Sequence, residues 1–298
     1  MKKDVLEFPV QDCLSVFCEY MEVKAEELGL SNNTLFRDPC GIDNVSTARD
    51  MLRCLIRGNE CEALRAVWGT PHYTVALGGK QPREWALHST VLEDAASPLL
   101  TEHYEVIGGK TGQLTRYNMN NLSVIVRMPD SDVLLACTIM GADEGTDKPR
   151  NRYQAAREAL DAAVAKYRNR SMDNTKAEVC AQSAIVCVVP PLAGSEYHAT
   201  LDILYEKNAG EQLRPASMTK MLTAAIVAEQ VNDLDDVLTI RQDVLDAIQP
   251  SGFYVGDLKA GDTLTVREAL YAMMLPSSNA AAFTLGAHVG NLLLNDCL

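Results

Sequence analysis

Apolar residues recur at helical spacing over residues 12–28 (Leu14, Phe17, Met21, Ala25, Leu28), and Gly29 follows where a helix would stop, so the spacing predicts a helix there. Asn32 to Gly41 reads as a loop, and Ser46-Thr47-Ala48-Arg49-Asp50 has the form of an N-cap opening a second helix through Ile56. Residues 60–102 are mixed, with turn signals at Thr70-Pro71, Gly78-Gly79 and Ser97-Pro98 between short β-prone pieces. From Tyr104 the pattern turns sheet-like, with apolar runs at 104–107, 122–126 and 133–139 separated by polar turns such as Pro129-Asp130-Ser131-Asp132. These predict a meander of adjacent strands. Residues 151–167 form an amphipathic pattern on Ala155, Ala156, Ala159, Leu160, Ala163 and Val164. Residues 169–176 are polar and without period, which makes them the main internal seam. Beyond it, strands are expected at 184–189 and 200–205, and helices at 217–230, 266–274 and 280–289. No repeat of solenoid length is present.

With 298 residues and 47% hydrophobic content, the chain can bury a full core as two modest domains or as one large one with interleaved subdomains. A net charge of -13 without any Lys/Arg run repels nucleic-acid phosphates and anionic membrane surfaces, so neither is expected as a partner. The nine cysteines include no C-x-x-C pair, and several sit in apolar runs, as in residues 183–189, which fits reduced thiols packed as small hydrophobes. The five histidines (His72, His88, His103, His198, His288) lack ligand spacing, so no metal or other cofactor is expected. Lys2 and Lys3 open the chain like an export signal, but Asp4, Glu7, Pro9 and Asp12 interrupt it at once, and no apolar run approaches the ~18 residues of a spanning helix. The sequence shows no export signal and no membrane segment.

Three segments carry chemistry. Ser217-Met218-Thr219-Lys220 sets a hydroxyl and an amine three residues apart at a helix start, on one face, where a neutral amine can take the hydroxyl proton. On spacing alone, a serine helix cap with a solvated lysine is the favoured reading. Ser277-Ser278-Asn279 adds a hydroxyl suited to relaying a proton and an amide suited to holding a substrate amide. Gly108-Gly109-Lys110-Thr111-Gly112 adds a cation and a hydroxyl on a strand whose glycines permit close backbone approach, suited to gripping a carboxylate. S-x-x-K, S-x-N and K-T-G are together the signature of penicillin-binding proteins and serine β-lactamases.

The sequence resembles the D-alanyl-D-alanine carboxypeptidase family of low-molecular-mass penicillin-binding proteins. The likeness extends to Leu204-Tyr205-Glu206-Lys207-Asn208-Ala209 and Pro215 to Ala224 around the first motif, and to Gly256 to Val266 with Leu270-Tyr271 before the second. It continues in Lys24 to Leu30, Thr34 to Gly41 and Ser46 to Asp50. The resemblance implies an α+β fold, an antiparallel sheet flanked by helices plus an all-helical subdomain. The motif order differs, however: the family runs S-x-x-K, S-x-N, K-T-G, whereas here Lys110 precedes Ser217. The helix after S-x-N, from Ala280, finds its continuation in residues 12–28, so a circular permutation is expected. On this reading residues 1–100 are the second part of the helical subdomain with loops leading to the sheet, and 101–168 are the K-T-G strands with a packing helix. Residues 169–180 join the ancestral ends, 181–230 supply further strands and the S-x-x-K helix, and 231–298 the first part of the helical subdomain. Residues 1 and 298 should then lie close together; ends far apart would instead indicate a swapped dimer.

By resemblance, Ser217 is the nucleophile on a peptide ending in D-Ala-D-Ala, Lys220 its base, and Ser277 the relay to the leaving D-Ala. Asn279 binds the substrate backbone, Lys110, Thr111 and Gly112 belong to the carboxylate-binding strand, and the N–H groups of Ser217 and Gln113 face the oxyanion. β-Lactam antibiotics would acylate the same serine. Ser217, Lys220, Ser277, Asn279 and Lys110 are expected to converge within hydrogen-bonding reach. The chain departs from the family at Ser278 and Ala280, where Gly and Asp are usual, and the polar run Tyr117-Asn118-Met119-Asn120-Asn121 is unaccounted for by the resemblance. No E-x-x-L-N segment marks a β-lactamase, which remains the alternative enzyme; a degenerate scaffold that binds without turnover is the alternative outside enzymes. The family acts outside the cytoplasm.

Overall fold

The apolar runs of residues 104–139 build three neighbouring strands, β3 (Glu105–Leu114), β4 (Met119–Arg127) and β5 (Leu134–Ala142), paired antiparallel in chain order. The structure is a computed structural model that describes residues 6–142, 151–191, 200–252 and 257–297. The Met1 to Val5 start, His198, Gly256 and Leu298 lie outside the described residues. β6 (Ala181–Val188) and β7 (Ile203–Lys207) complete a sheet ordered β3-β4-β5-β6-β7 among the described residues.

β4 and β5 carry unbroken buried runs because helices cover both faces of the sheet. Val124, Val126, Cys137 and Ile139 share a core with Ala156, Leu160 and Ala163 of α5 (Arg152–Arg168). Their chain neighbours Ile125, Ala136 and Met140 point the opposite way, as strand geometry requires, and join Met51, Leu52 and Leu55 of α2 (Ala48–Glu60) and Met221 and Leu222 of α6 (Lys220–Gln230). The architecture is α+β with an antiparallel sheet flanked by helices, as expected. All nine cysteines are free thiols, five of them buried.

The helical side is built from α1 (Val10–Glu27), α7 (Gln242–Ile248), α8 (Val266–Met274) and α9 (Asn279–Asp296) around α6, with Phe17, Met21, Leu285 and Val289 fully buried. Thr265 and Glu268 close a reciprocal capping box at the start of α8. Residues 60–102 hold more order than their turn signals suggest. They form α3 (Glu62–Trp68), the hairpin β1 (His72–Gly79) and β2 (Arg83–His88), and the single turn α4 (Pro98–Thr101). β1 and β2 join β8 (Val237–Thr239) and β9 (Asp262–Thr265) in a second antiparallel sheet, β2-β1-β9-β8. Only Val75, Leu77 and Leu87 of the hairpin are fully buried, so its hydrophobic pattern is faint.

Two features bear on chain order. Residues 169–180 join α5 to β6 without a regular element, and Asn174 ties this connector down by donating to Ala162 O (3.0 Å) and Leu204 O (2.9 Å). Elsewhere α1 packs along α9, and the described ends meet. Leu6 N donates to Asn295 Oδ1 and Asn295 Nδ2 returns a bond to Leu6 O, both at 2.9 Å, while Phe8 N donates to Asn291 Oδ1 at 3.0 Å. One chain supplies both helices.

Candidate active site

Ser217 sits in a 3-10 turn, Ala216–Thr219, that runs directly into α6. It caps nothing, and Lys220, the first residue of α6, is fully buried, so the reading as helix cap with solvated lysine is overturned by the fold. The Lys220 ammonium contacts Ser217 Oγ (3.1 Å), Ser277 Oγ (3.1 Å), Ser277 O (2.8 Å) and Asn279 Oδ1 (2.6 Å). One nitrogen thus touches both serine hydroxyls and the asparagine amide oxygen. Burial pushes its pKa from 10.5 down to about 8, against partial compensation from Cys40 and the carboxylates Asp38 and Asp257.

Strained backbone presents both serines. Ala216, immediately before the nucleophile candidate, has φ of 52°, and Ser277 has φ of 70°, conformations that cost non-glycine residues about 1–3 kcal/mol each and persist only where packing enforces them. At Ala216 the enforcement comes from the loop 36–44. Asp38 accepts the N–H groups of Cys40, Gly41, Ile42 and Asp43 at 2.6–3.1 Å, which locks that loop. Asn44 Nδ2 then reaches Thr219 Oγ1 (3.1 Å), and Thr223 Oγ1 donates to Pro39 O (2.7 Å). Gly41, at φ of 93°, lies so close that a Cβ there would stand 1.9 Å from Ala216 O. At Ser277 the next residue does the work: Ser278 N donates to Ala272 O, and its Oγ accepts Ala281 N, capping α9. The serine that departs from the family pattern is therefore a helix cap, and Asn279 is the first residue of the helix it caps.

β3 closes the opposite wall. A Cβ on Gly112 would fall 2.5 Å from Pro215 O and 3.2 Å from Met218 N, so glycine lets the strand lie directly against the Ser217 turn. Thr111 is buried and shares a 2.7 Å hydroxyl contact with Thr90, whereas Gln113 is exposed at the rim. Lys110 corrects one expectation. It is fully buried, but its ammonium donates to Thr111 O (3.2 Å) and stands alongside the Lys220 cluster rather than inside it. Burial, then the charges of Lys220 and Arg152, hold its pKa well below the usual lysine range.

No sequence motif marks Arg152, at the start of α5. It is 8% exposed, its Nη2 lies 3.8 Å from the Asp94 carboxylate, and its Nη1 is buried without a hydrogen-bond partner among the described residues. A buried guanidinium with an open donor, close enough to the buried Lys110 to lower its pKa, can receive a carboxylate. A cleft of about 690 Å³ opens elsewhere, between α1 and the loop 36–43, and none of the motif residues lines it. Among the described residues no His/Cys/Asp/Glu group could hold a metal, and no helix is long and apolar enough to cross a membrane.

The arrangement defines a class, a serine hydroxyl paired with a buried lysine on an α+β scaffold. Residues 172–291 match the peptidase family described as D-alanyl-D-alanine carboxypeptidase. Over 89 residues the chain is 37% identical to a D-alanyl-D-alanine carboxypeptidase of Streptomyces sp. (strain K15), covering 30% of this chain and 31% of that protein. Over 98 residues it is 32% identical to D-alanyl-D-alanine carboxypeptidase DacC of Escherichia coli (strain K12), covering 31% and 24%. The matched segment thus spans less than a third of either relative, and no solved structure matches significantly. The resemblance read from the motifs is borne out over this segment, which contains Ser217, Lys220, Ser277 and Asn279.

Proposed function

We propose that the chain is a serine-type D-alanyl-D-alanine carboxypeptidase acting on peptidoglycan stem peptides and acylated by β-lactams. The observation that carries this is the buried Lys220 ammonium held against Ser217 Oγ, Ser277 Oγ and Asn279 Oδ1 with its pKa near 8. As the neutral amine, Lys220 takes the Ser217 proton while Oγ attacks the penultimate D-Ala carbonyl. The developing oxyanion lies between the N–H groups of Ser217 and Gln113. The proton passes through Ser277 to the amine of the departing D-Ala, the C–N bond breaks, and water later hydrolyses the acyl ester. Asn279 orients the substrate amide, and Lys110, Thr111, Gly112 and Arg152 bind the terminal carboxylate.

Incubation with a labelled penicillin should add one equivalent of mass, located on Ser217 by peptide mapping. Folded protein without an adduct would sink this reading and leave a scaffold that binds without turnover. A long-lived adduct with D-Ala release from a D-Ala-D-Ala peptide supports the carboxypeptidase; rapid loss of the adduct makes the chain a β-lactamase instead.

We also propose that the chain is a circular permutant of the family. The family match begins at residue 172, beyond K-T-G, the described ends are hydrogen-bonded to one another, and residues 169–180 form a plain connector. A chain relinked from Cys297 to Leu6 by a short Gly/Ser linker and opened between Arg170 and Lys176 should fold with a melting temperature within roughly 5 °C of the original and be acylated at the same rate. Failure of the relinked chain to fold counts against the permutation and leaves the chemistry untouched.

A further inference from the structure

The polar run from Tyr117 to Asn121, which the family resemblance leaves unaccounted for, closes the β3–β4 hairpin beside the Ser217 turn. β3 passes from Lys110 through Gln113 into a 3-10 turn, Thr115–Tyr117, and Asn118 reverses the chain at φ of 48°. The Tyr117 ring lies 4.2 Å from the Arg214 guanidinium and 4.9 Å from that of Arg116, whose Nη2 also donates to Tyr117 Oη at 2.6 Å. Arg214 stands three residues before Ser217, and its backbone is fixed to the sheet. Asn121 Nδ2 donates to both Arg214 O (2.9 Å) and Pro215 O (3.1 Å), while Asn121 Oδ1 accepts Gly141 N (2.8 Å).

These two cations sit on a chain of net charge -13, and they are poorly compensated. Arg214 Nη1 is buried without a hydrogen-bond partner among the described residues, and the nearest carboxylate to it, Asp43, is 3.8 Å away and largely exposed. Arg116 is exposed. Stacking on tyrosine pre-orients a guanidinium and leaves its donor edge open for a carboxylate.

Position supplies the rest. β3 is an edge strand, so an extended peptide can lie along it. With the peptide's terminal carboxylate at Lys110 and its scissile carbonyl at Ser217, the residues upstream run past Gln113 toward the hairpin tip, at about 3.3 Å per residue. We propose that Arg116, Tyr117 and Arg214 form a subsite for a carboxylate on the acyl-donor side of the substrate, within three residues of the scissile bond. The orientation rests on the carboxypeptidase reading; the subsite adds specificity and leaves the chemistry to Ser217 and Lys220.

Benzylpenicillin and carbenicillin test this directly, because they differ by one carboxylate on the acyl side chain, the part that faces upstream. The second-order acylation rate of Ser217 should be greater for carbenicillin, and the carbenicillin-to-benzylpenicillin ratio should fall about tenfold in Arg116→Ala and in Arg214→Gln. Half-molar salt should lower the ratio in the original chain and leave it unchanged in Arg116→Ala with Arg214→Gln combined. Taking the ratio within each variant cancels any loss of folded protein, and Arg214→Lys should recover part of it. Acylation by both compounds with a ratio the substitutions do not move overturns the subsite alone. Acylation by neither overturns the carboxypeptidase reading and the subsite with it.

Discussion

Lys220→Met should lower the acylation rate of Ser217 by about 10²–10⁴-fold, the usual worth of a positioned general base, and at the same time make the protein more stable at neutral pH. The two effects share a cause. Burial brings the lysine pKa from 10.5 to about 8, which means that the folded chain binds this proton less tightly than the unfolded chain does. Below pH 8 both states carry the charge, and the folded state bears the whole penalty, about 3 kcal/mol at most for a displacement of this size. Between pH 8 and 10.5 the folded chain is neutral at Lys220 while the unfolded chain still holds the proton, so stability gains with rising pH from this residue; above 10.5 the penalty is gone. Methionine keeps the unbranched stem but removes the Lys220 hydrogen bonds to Ser277 O and Asn279 Oδ1, which reduces the gain to on the order of 1–2 kcal/mol. Denaturant unfolding at pH 7 and pH 10 should show the variant ahead at the lower pH, with the gap narrowing at the higher. A variant less stable than the parent at pH 7 would contradict the assignment of Lys220 as a strained, desolvated amine. The acylation rate of the parent should rise with pH through about 8, as the neutral amine appears.

Gly41→Ala should both destabilise the fold and slow acylation of Ser217. The new Cβ would stand 1.9 Å from Ala216 O and 2.8 Å from Thr219 Oγ1, and the position already requires φ of 93°. Left-handed strain and backbone overpacking together cost about 2–4 kcal/mol. Relief of the clash displaces Ala216, hence Ser217, and a shift of about 1 Å at a nucleophile can cost 10²-fold in rate. Gly210→Ala is the control, since a Cβ there meets nothing within 4 Å, and its stability should change by less than about 0.5 kcal/mol. Equal behaviour of the two variants in thermal melts and acylation would refute the role assigned to the loop 36–44.

What could be read from sequence follows physical range. The strands at 122–126 and 133–139 and the helices around Phe17 and Leu160 are local patterns, and the structure contains them with boundaries moved by a few residues. Ser217 with Lys220, and Ser277 with Asn279, are short-range pairs whose spacing survives folding intact. The 3-10 turn under Ser217 was hidden because helical periodicity does not distinguish it from the α-helix that follows. Arg152 was hidden for a different reason: at the head of an amphipathic helix it reads as a surface cation, and only tertiary packing buries it with an open donor. The same holds for Gly41, whose need for glycine comes from Ala216, far along the chain, and for the β1–β2 hairpin, which buries too few side chains to announce itself. Lys110 was legible as a candidate site residue, yet its hydrogen bond to Thr111 O depends on strand packing that no spacing encodes.

The meeting of α1 with α9 also sets a timetable. Leu6 and Asn295, which hydrogen-bond each other, are 289 positions apart, so during synthesis the first helix emerges long before the surface that covers it. At 5–20 residues per second the wait is roughly 15–60 s, with Phe17 and Met21 unpacked throughout. In the unpermuted order of the proposal above, these helices would be sequential and fold as soon as both had left the ribosome. The nascent chain carries α1 with its apolar face uncovered until α9 is made, so its yield in cells should depend on holdase chaperones and fall as translation slows, a cost borne by biogenesis rather than by the finished fold.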